Sequence, residues 1–319
     1  MNHETFLEVR ARLRKERPRL VDCSELNVYR SLAAAFPAIA PSQHPEAPWR
    51  CHVAERYLAQ LGLAPELKVR TQVSQGVRHS LRVLFGLLGG RGASIAIPSD
   101  VYPVYLQLAA EARVTVEPYA ACDGLPALEA VQAVLICDPL KPWGGSLSEG
   151  QADRLTRWVR EDPSRLVLID SAYATPPEAQ ALRLMHEETA MLLVSLSKGW
   201  LLPAHVGLCI VPSRWQREAR EAFSRTAKDE QRLRIGFSAL TEHAARPLEV
   251  RAVLQARARA LDAITAARPE LKCSPCAGYF ARADQSFEQL LELGVLGVPA
   301  SVFGGSGGSS ILSSLAPAP

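Results

Sequence analysis

The chain has 319 residues, room for one large domain and a smaller one. Its 36 Lys+Arg nearly balance 33 Asp+Glu, so no charge excess points to nucleic acid or to an anionic membrane. No apolar run approaches the ~20 residues of a membrane span, the charged amino terminus (Glu4, Glu8, Arg10, Arg12, Arg14, Lys15) lacks the apolar core of a secretory signal, and seven scattered cysteines fit a reducing cytosol and a cytoplasmic protein.

After a polar start, His52–Gly62 reads as a helix closed by glycine, and Val77–Leu88 as a second helix. Strands and helices then alternate. Ser94–Ile97, Val114–Val116, Ala133–Cys137, Leu166–Ile169, Met191–Val194 and Val206–Val211 read as strands, with helices over Val101–Ala110 and Glu149–Arg160. That alternation predicts an α/β fold with a mainly parallel sheet between helices. A long Ala/Arg/Leu-rich stretch, Ile235–Ala267, reads as one helix kinked at Pro247. Beyond it come a strand at Gly278–Ala281, a helix near Ser286–Leu293, a strand around Val295–Val298, a Gly/Ser-rich turn and Ile311–Leu315. The expected division is 1–48 as an N-terminal arm with part of a small domain, 49–234 as the large domain, and 235–319 as an interdomain helix with a small C-terminal α+β domain. Cys273-Ser274-Pro275-Cys276 has no second pair and no nearby histidine, so no metal site is expected.

The polar residues that matter stand at strand ends, where open α/β sheets build their sites. Ser195-Leu196-Ser197-Lys198 follows the apolar run 190–194, and Asp170-Ser171-Ala172-Tyr173 ends another. A lysine, a carboxylate and a phenol delivered from neighbouring strand ends suit one chemistry. The amine forms a Schiff base with an aldehyde cofactor, the carboxylate keeps a pyridine nitrogen protonated, and the phenol holds the ring hydroxyl. Those residues call for pyridoxal 5'-phosphate (PLP). Upstream, Ser74-Gln75-Gly76-Val77 places a glycine before a helix, where backbone N–H groups can meet a phosphate. In Pro98-Ser99-Asp100-Val101-Tyr102-Pro103-Val104-Tyr105, Tyr102 is better placed than Tyr105 to stack on a ring. Cys137-Asp138-Pro139-Leu140-Lys141-Pro142-Trp143-Gly144-Gly145 is a third strand-end loop and presents Lys141.

The order of these motifs (glycine turn, P-x-x-x-Y, a loop like N-P-x-N-P-x-G, D-x-x-Y, S-x-S-K) resembles the class I/II aminotransferases of fold type I, nearest the histidinol-phosphate aminotransferase-like branch, over about Ser24 to Ala316. The resemblance implies Lys198 as Schiff-base lysine and general base, Asp170 as partner of the ring nitrogen, Tyr173 as partner of the ring hydroxyl and Tyr102 as stacking residue. Gly76, Val77, Arg78, Ser195 and Ser197 would surround the phosphate. It further implies a small-molecule amine or amino-acid substrate and a homodimer with a shared active site; Trp49 falls near the place where a partner-chain tyrosine commonly enters.

Three departures bear on the reaction. Lys141 stands where the family's second asparagine contacts the ring hydroxyl. His205-Val206-Gly207 replaces the phosphate-clamping R-x-G, giving a weaker and pH-dependent contact. Leu312 stands where an arginine pairs the substrate α-carboxylate, and no arginine follows Arg282. A leucine offers no bidentate clamp, so either the substrate lacks a conventional α-carboxylate or another cation, Lys141 before Arg30 or Arg78, holds it. The leading expectation is an aminotransferase acting on an unusual amino donor. The alternatives are a PLP-dependent lyase, a γ-replacement or cyclising C–C/C–N bond-forming enzyme of specialised metabolism, and a non-catalytic PLP-binding protein.

Overall fold

A computed structural model describes residues 2–43, 49–101, 103–203, 205–226, 229–274, 276, 279–305 and 307–315. The polar start is a helix, α1 (His3–Glu16). Asn2 opens it by accepting from the Thr5 N–H at 2.9 Å, and Phe6, Arg10 and Leu13 form a narrow buried stripe. Then follow β1 (Val21–Asp22), α2 (Val28–Leu32), α3 (Trp49–Gln60), β2 (Thr71–Ser74), α4 (Val77–Gly90), β3 (Ser94–Pro98), α5 (Val104–Glu111), β4 (Thr115–Tyr119), β5 (Ala133–Cys137), α6 (Glu149–Glu161), β6 (Leu166–Asp170), α7 (Ala179–His186), β7 (Ala190–Ser195), α8 (Leu196–Gly199) and β8 (Gly207–Ile210). The remainder comprises α9 (Gln216–Ser224), α10 (Glu230–Thr241), α11 (Arg246–Ala266), β9 (Phe280–Ala283), α12 (Phe287–Glu292), β10 (Val295–Leu296), β11 (Val298–Pro299) and β12 (Ser310–Ser313). Among the described residues no helix is long and apolar enough to cross a membrane.

Seven strands form one sheet in the order β2-β8-β7-β6-β5-β3-β4. Every pairing is parallel except those of β8, which runs antiparallel to both β2 and β7. Because helices cover both faces, the central strands are apolar on both sides rather than alternating with polar residues. Leu166, Leu168, Met191 and Leu193 pack with Leu81, Leu84, Phe85 and Leu108 of α4 and α5. Val167, Ile169, Leu192 and Val194 pack with Val53, Leu155, Leu184 and Leu240 of α3, α6, α7 and α10. A smaller antiparallel sheet, β11-β12-β9, and the parallel pair β1-β10 complete the strands.

The expected single helix over 235–267 is two helices. The break falls where two carbonyls are drawn outward: the Trp200 indole N–H donates to His243 O at 3.2 Å, and Gln60 Nε2 donates to Ala244 O at 2.7 Å. Pro247 then lies in the first turn of α11, where its missing N–H costs no intrahelical bond, so it opens a helix instead of kinking one. Likewise the expected helix from Val101 begins only at Val104, after Pro103 at the cap position, and the expected strand around 295–298 divides at Gly297 into β10 and β11.

The carboxyl ends of β3, β5, β6 and β7 open on the same edge of the sheet, and register sets Cys137, Asp170 and Leu193 side by side across it. The turn from β2 into α4 joins this edge through a close backbone contact. A Cβ on Gly207 would lie 2.7 Å from Gly76 Cα and 2.9 Å from Val194 O, neither of which can move without displacing a strand. Gly207→Ala is therefore expected to destabilise the protein by about 1–3 kcal/mol, read as a lower urea midpoint; an unchanged midpoint would refute the close packing of β2, β7 and β8.

Asp138, just beyond β5, stands at the first asparagine of the loop motif. It is fully buried and accepts from the Leu147 N–H at 3.0 Å. Burial raises its pKa from 3.8 to about 6, partly offset by that hydrogen bond. The folded state thus keeps this proton to higher pH than the unfolded chain does. Stability falls as pH climbs from about 4 through about 6, and the loss, up to about 3 kcal/mol, persists above that. Asp138→Asn should be more stable than wild type at pH 8 and close to it at pH 4; denaturation curves giving the same difference at both pH values would exclude this origin.

Candidate active site

A cavity of about 410 Å³ lies at the carboxyl edge of the sheet. Its walls include Gly76, Val77 and Arg78 from the start of α4, Tyr105 from α5, Lys141 from the loop after β5, Asp170 and Tyr173 from the end of β6, and Ser195, Lys198 and His205 around α8. The sequence-predicted residues converge here, with two exceptions: Tyr102 lies outside the described residues, and Ser197 reaches the cavity only through His205.

Asp170 ends β6 and is 9 % exposed. Tyr105 donates its hydroxyl proton to Asp170 Oδ2 at 2.6 Å, and the Ala172 N–H donates to Oδ1 at 2.9 Å. Burial pushes the Asp170 pKa up; these two donors and the charges of Lys141 and Lys198 pull it back. The Cys137 thiol donates in turn to Tyr105 Oη at 3.3 Å. Burial first, and the Asp170 carboxylate second, hold the Tyr105 phenol well above its ordinary pKa, so it remains a donor. Sequence reasoning passed over Tyr105 in favour of Tyr102. The missed clue was Pro103, which starts α5 late and leaves Tyr105 in its first turn, facing the strand ends.

Lys198 is the third residue of the short helix α8, which Ser195 caps by accepting from the Ser197 N–H at 3.2 Å. Its Nζ stands 5.2 Å from the centroid of the Tyr173 ring. Lys141 approaches the same ring: its Nζ is 3.8 Å from the centroid and donates to Tyr173 Oη. Tyr173 is braced edge-on by Tyr279 at 5.7 Å and Phe280 at 6.3 Å, and Phe280 also lies 5.3 Å from Lys141 Nζ. Two ammonium groups thus flank one phenol.

On the opposite wall, Gly76 takes φ +91°, a conformation that glycine adopts without strain, and starts α4 with no side-chain cap. His205 packs directly on it; a Cβ at position 76 would come within 3.1 Å of His205 Cβ. Ser197 Oγ and His205 Nδ1 are 3.3 Å apart. Burial, with the nearby charges of Lys198, Arg232 and Arg78, lowers the His205 pKa and favours the neutral ring. The result is a concave surface of backbone donors, hydroxyls and cations suited to a phosphate.

Two sequence expectations, for Leu312 and Trp49, meet a different setting. Leu312 does not face the cavity: it is fully buried and packs with Cys23, Leu261, Ala281 and Leu290. Strand alternation turns its neighbour Ile311 to the other side, among the residues of the main core that include Val77, Tyr105 and Phe303. Neither Ile311 nor Leu312 is a cavity wall residue, and both are apolar and fully buried. Trp49 is 5 % exposed and packs edge-on against Phe237 at 5.3 Å, as a core residue of its own chain. Arg30 is exposed on the cavity wall. Arg10, which sequence reasoning did not single out, forms a buried wall residue held by Glu25 at 3.0 Å and Asp22 at 3.1 Å. Among the described residues no group of three or more His, Cys, Asp or Glu side chains could hold a metal.

No family model and no curated protein matches the chain in sequence. Its three-dimensional likeness to solved structures is nonetheless extensive. L,L-Diaminopimelate aminotransferase from Chlamydomonas reinhardtii superposes with a TM-score of 0.72 at 14 % identity, over 99 % of this chain and 92 % of that one. Aspartate aminotransferase from Thermus thermophilus, solved with maleate, gives 0.66 at 18 % identity over 98 % and 92 %. A putative PLP-dependent β-cystathionase from Corynebacterium diphtheriae gives 0.63 at 17 % identity over 90 % and 82 %. The chain has the α/β fold of these enzymes, fold type I, as the order of its motifs implied.

Proposed function

We propose that this protein is a PLP-dependent enzyme, an aminotransferase acting on an unusual amino donor. The observation that carries the proposal is the convergence of Lys198 and Asp170, from adjacent strand ends, on one cavity with Tyr173 beside the lysine amine. A buried carboxylate with two donors already in place, a lysine amine in a cavity wall and an uncapped glycine-opened helix fit the ring nitrogen, aldehyde and phosphate of this cofactor. When bound, PLP supplies an aldehyde that condenses with amines and a ring that withdraws electrons from the substrate carbon.

The chain's own residues take the remaining roles. Asp170, fixed by Tyr105 and Ala172, holds the proton at the ring nitrogen. Tyr173 and Lys141 contact the ring oxygen. Gly76, Val77, Arg78, Ser195, Ser197 and His205 surround the phosphate. The Lys198 amine, when free of the cofactor, would be the base that takes the proton from the substrate α-carbon and, as its conjugate acid, gives that proton back. A second copy of the chain completes the site as a homodimer in the cytoplasm.

The apolar residues at 311 and 312 favour a second reading, because the arginine clamp of a general amino-acid aminotransferase has no counterpart on β12. In that reading the same site catalyses elimination, γ-replacement or cyclisation. Absorbance of the PLP-loaded protein, followed during addition of amino acids and amines, separates the two. A lasting conversion to pyridoxamine phosphate with a keto product establishes transamination; a transient change that decays to the starting spectrum establishes the second reading. Lys198→Ala should lose the lysine-linked band, and borohydride followed by peptide mass analysis should place the pyridoxyl group on Lys198 of wild type. Labelling elsewhere, or none, would refute the assignment.

A further inference from the structure

On the reading that the cavity holds PLP linked to Lys198, we propose that Lys141 is the specificity-determining cation of the substrate site, selecting amines that carry a carboxylate close to the reacting nitrogen. The two lysine amines lie over one side chain: Lys141 Nζ is 3.8 Å and Lys198 Nζ 5.2 Å from the centroid of Tyr173. An amine that reacts at Lys198 therefore arrives with its substituents next to a second, fixed positive charge.

The other cations of the cavity are paired, stand on the opposite wall or are open to solvent. Arg10 is paired to Glu25 and Asp22. Arg78 belongs to the first turn of α4, near His205 and the expected phosphate. Arg30 is exposed. Arg282, the last arginine of the chain, stacks on Trp143 at 5.7 Å and is not a cavity wall residue. On β12, Ile311 and Leu312 present no donor.

The surroundings of Lys141 suit an anion anchor. Tyr173 and Phe280 face its ammonium with aromatic rings at 3.8 and 5.3 Å, and Tyr173 Oη accepts one of its protons. Those contacts hold the charge in place at little cost in side-chain entropy and withdraw part of its hydration, while an ammonium has three protons to donate. A carboxylate arriving there meets a preoriented point charge in place of a planar arginine fork. The contact is less selective for carboxylate geometry than a bidentate pair, so phosphonate analogues of the same charge should also be accepted.

The test needs no knowledge of the natural substrate. Aminooxyacetate and methoxyamine both displace a lysine amine from PLP, each exchanging one C=N bond for another with release of the amine and no redox change. Only aminooxyacetate carries a carboxylate. The rate constants for loss of the lysine-linked absorbance, measured for both reagents on the PLP-loaded protein, give a ratio from which general changes in reactivity cancel. Wild type should prefer aminooxyacetate by about 10- to 100-fold beyond the ratio measured with free PLP–lysine adducts. Lys141→Gln should abolish that excess, Lys141→Arg should retain most of it, and Arg30→Gln should leave it intact. A wild-type ratio equal to that of the free adduct, or an excess that survives Lys141→Gln or is lost in Arg30→Gln, overturns the assignment to Lys141 while leaving the PLP reading in place. Absence of any lysine-linked band in wild type overturns both.

Discussion

The Asp170 carboxylate sits 9 % exposed at the end of a central strand, where an ionised group cannot persist without compensation. The protein supplies that compensation from four elements. Tyr105 Oη and the Ala172 N–H donate directly, and the lysines at 141 and 198 contribute charge. Each partner comes from a different element: α5, the turn after β6, the loop after β5, and α8. Surrounding one buried carboxyl with donors and charges therefore fixes the relative placement of these segments, although burial still leaves its pKa raised. Tyr105 is fixed in the same way, since burial and the adjacent carboxylate keep it protonated and leave it only a donor's role toward Asp170. The Cys137 thiol, donating to the same phenol oxygen, extends the chain one strand further.

Charge on the two sides of the cavity follows from the same logic. Lys141 and Lys198 lie over Tyr173, while Arg78 and Arg232 stand close enough to His205 to disfavour its protonation. Against these cations the inner cavity offers mainly the Asp170 carboxylate. An anionic ligand is the natural counterweight, and a phosphate placed against Gly76, Ser197 and His205 would reverse the electrostatic cause that now favours the neutral imidazole. The replacement of the expected arginine by His205 fits this geometry. Gly76 and Gly207 bring their backbones into contact, and His205 packs onto Gly76 two residues before β8 begins. A flat ring fills that space while presenting its nitrogen edge to Ser197.

What was legible in the sequence was whatever depended on local pattern. Apolar runs ending in Asp170 and Ser195 gave the strands to within a residue, and D-x-x-Y with S-x-S-K located the lysine, carboxylate and phenol. What was hidden depended on long-range contacts. α1 and α7 are short or highly charged, with buried stripes of three residues each, so their periodicity is weak against their polarity. The division between α10 and α11 is made by Trp200 and Gln60 drawing off carbonyls at 243 and 244, and no glycine marks it. The face that a residue of β12 takes is hidden for a simpler reason: a one-residue shift in a strand exchanges the two faces. Motif matching across a Gly/Ser-rich turn cannot detect such a shift, whereas the pairing of Ile311 with Arg282 and of Leu312 with Ala281 fixes the register of this strand.

Low identity and high structural likeness are compatible because the two depend on different residues. The sheet needs apolar volume on both faces, which many sequences provide, and this requirement accounts for most of the chain. On the proposed reading the cofactor needs particular groups at a few strand ends, and Lys198, Asp170 and Tyr173 line the cavity there. The substrate side carries the departures. Ile311 faces the main core, and Lys141 stands over the phenol in the loop that otherwise carries asparagine. A cation on the loop after β5, with none on β12, would hold an anion from a different direction while leaving Lys198 and Asp170 in place. On the proposed reading, change on such a loop would alter which amine is accepted before it altered the chemistry at the lysine, because Lys141 and Lys198 sit on separate elements.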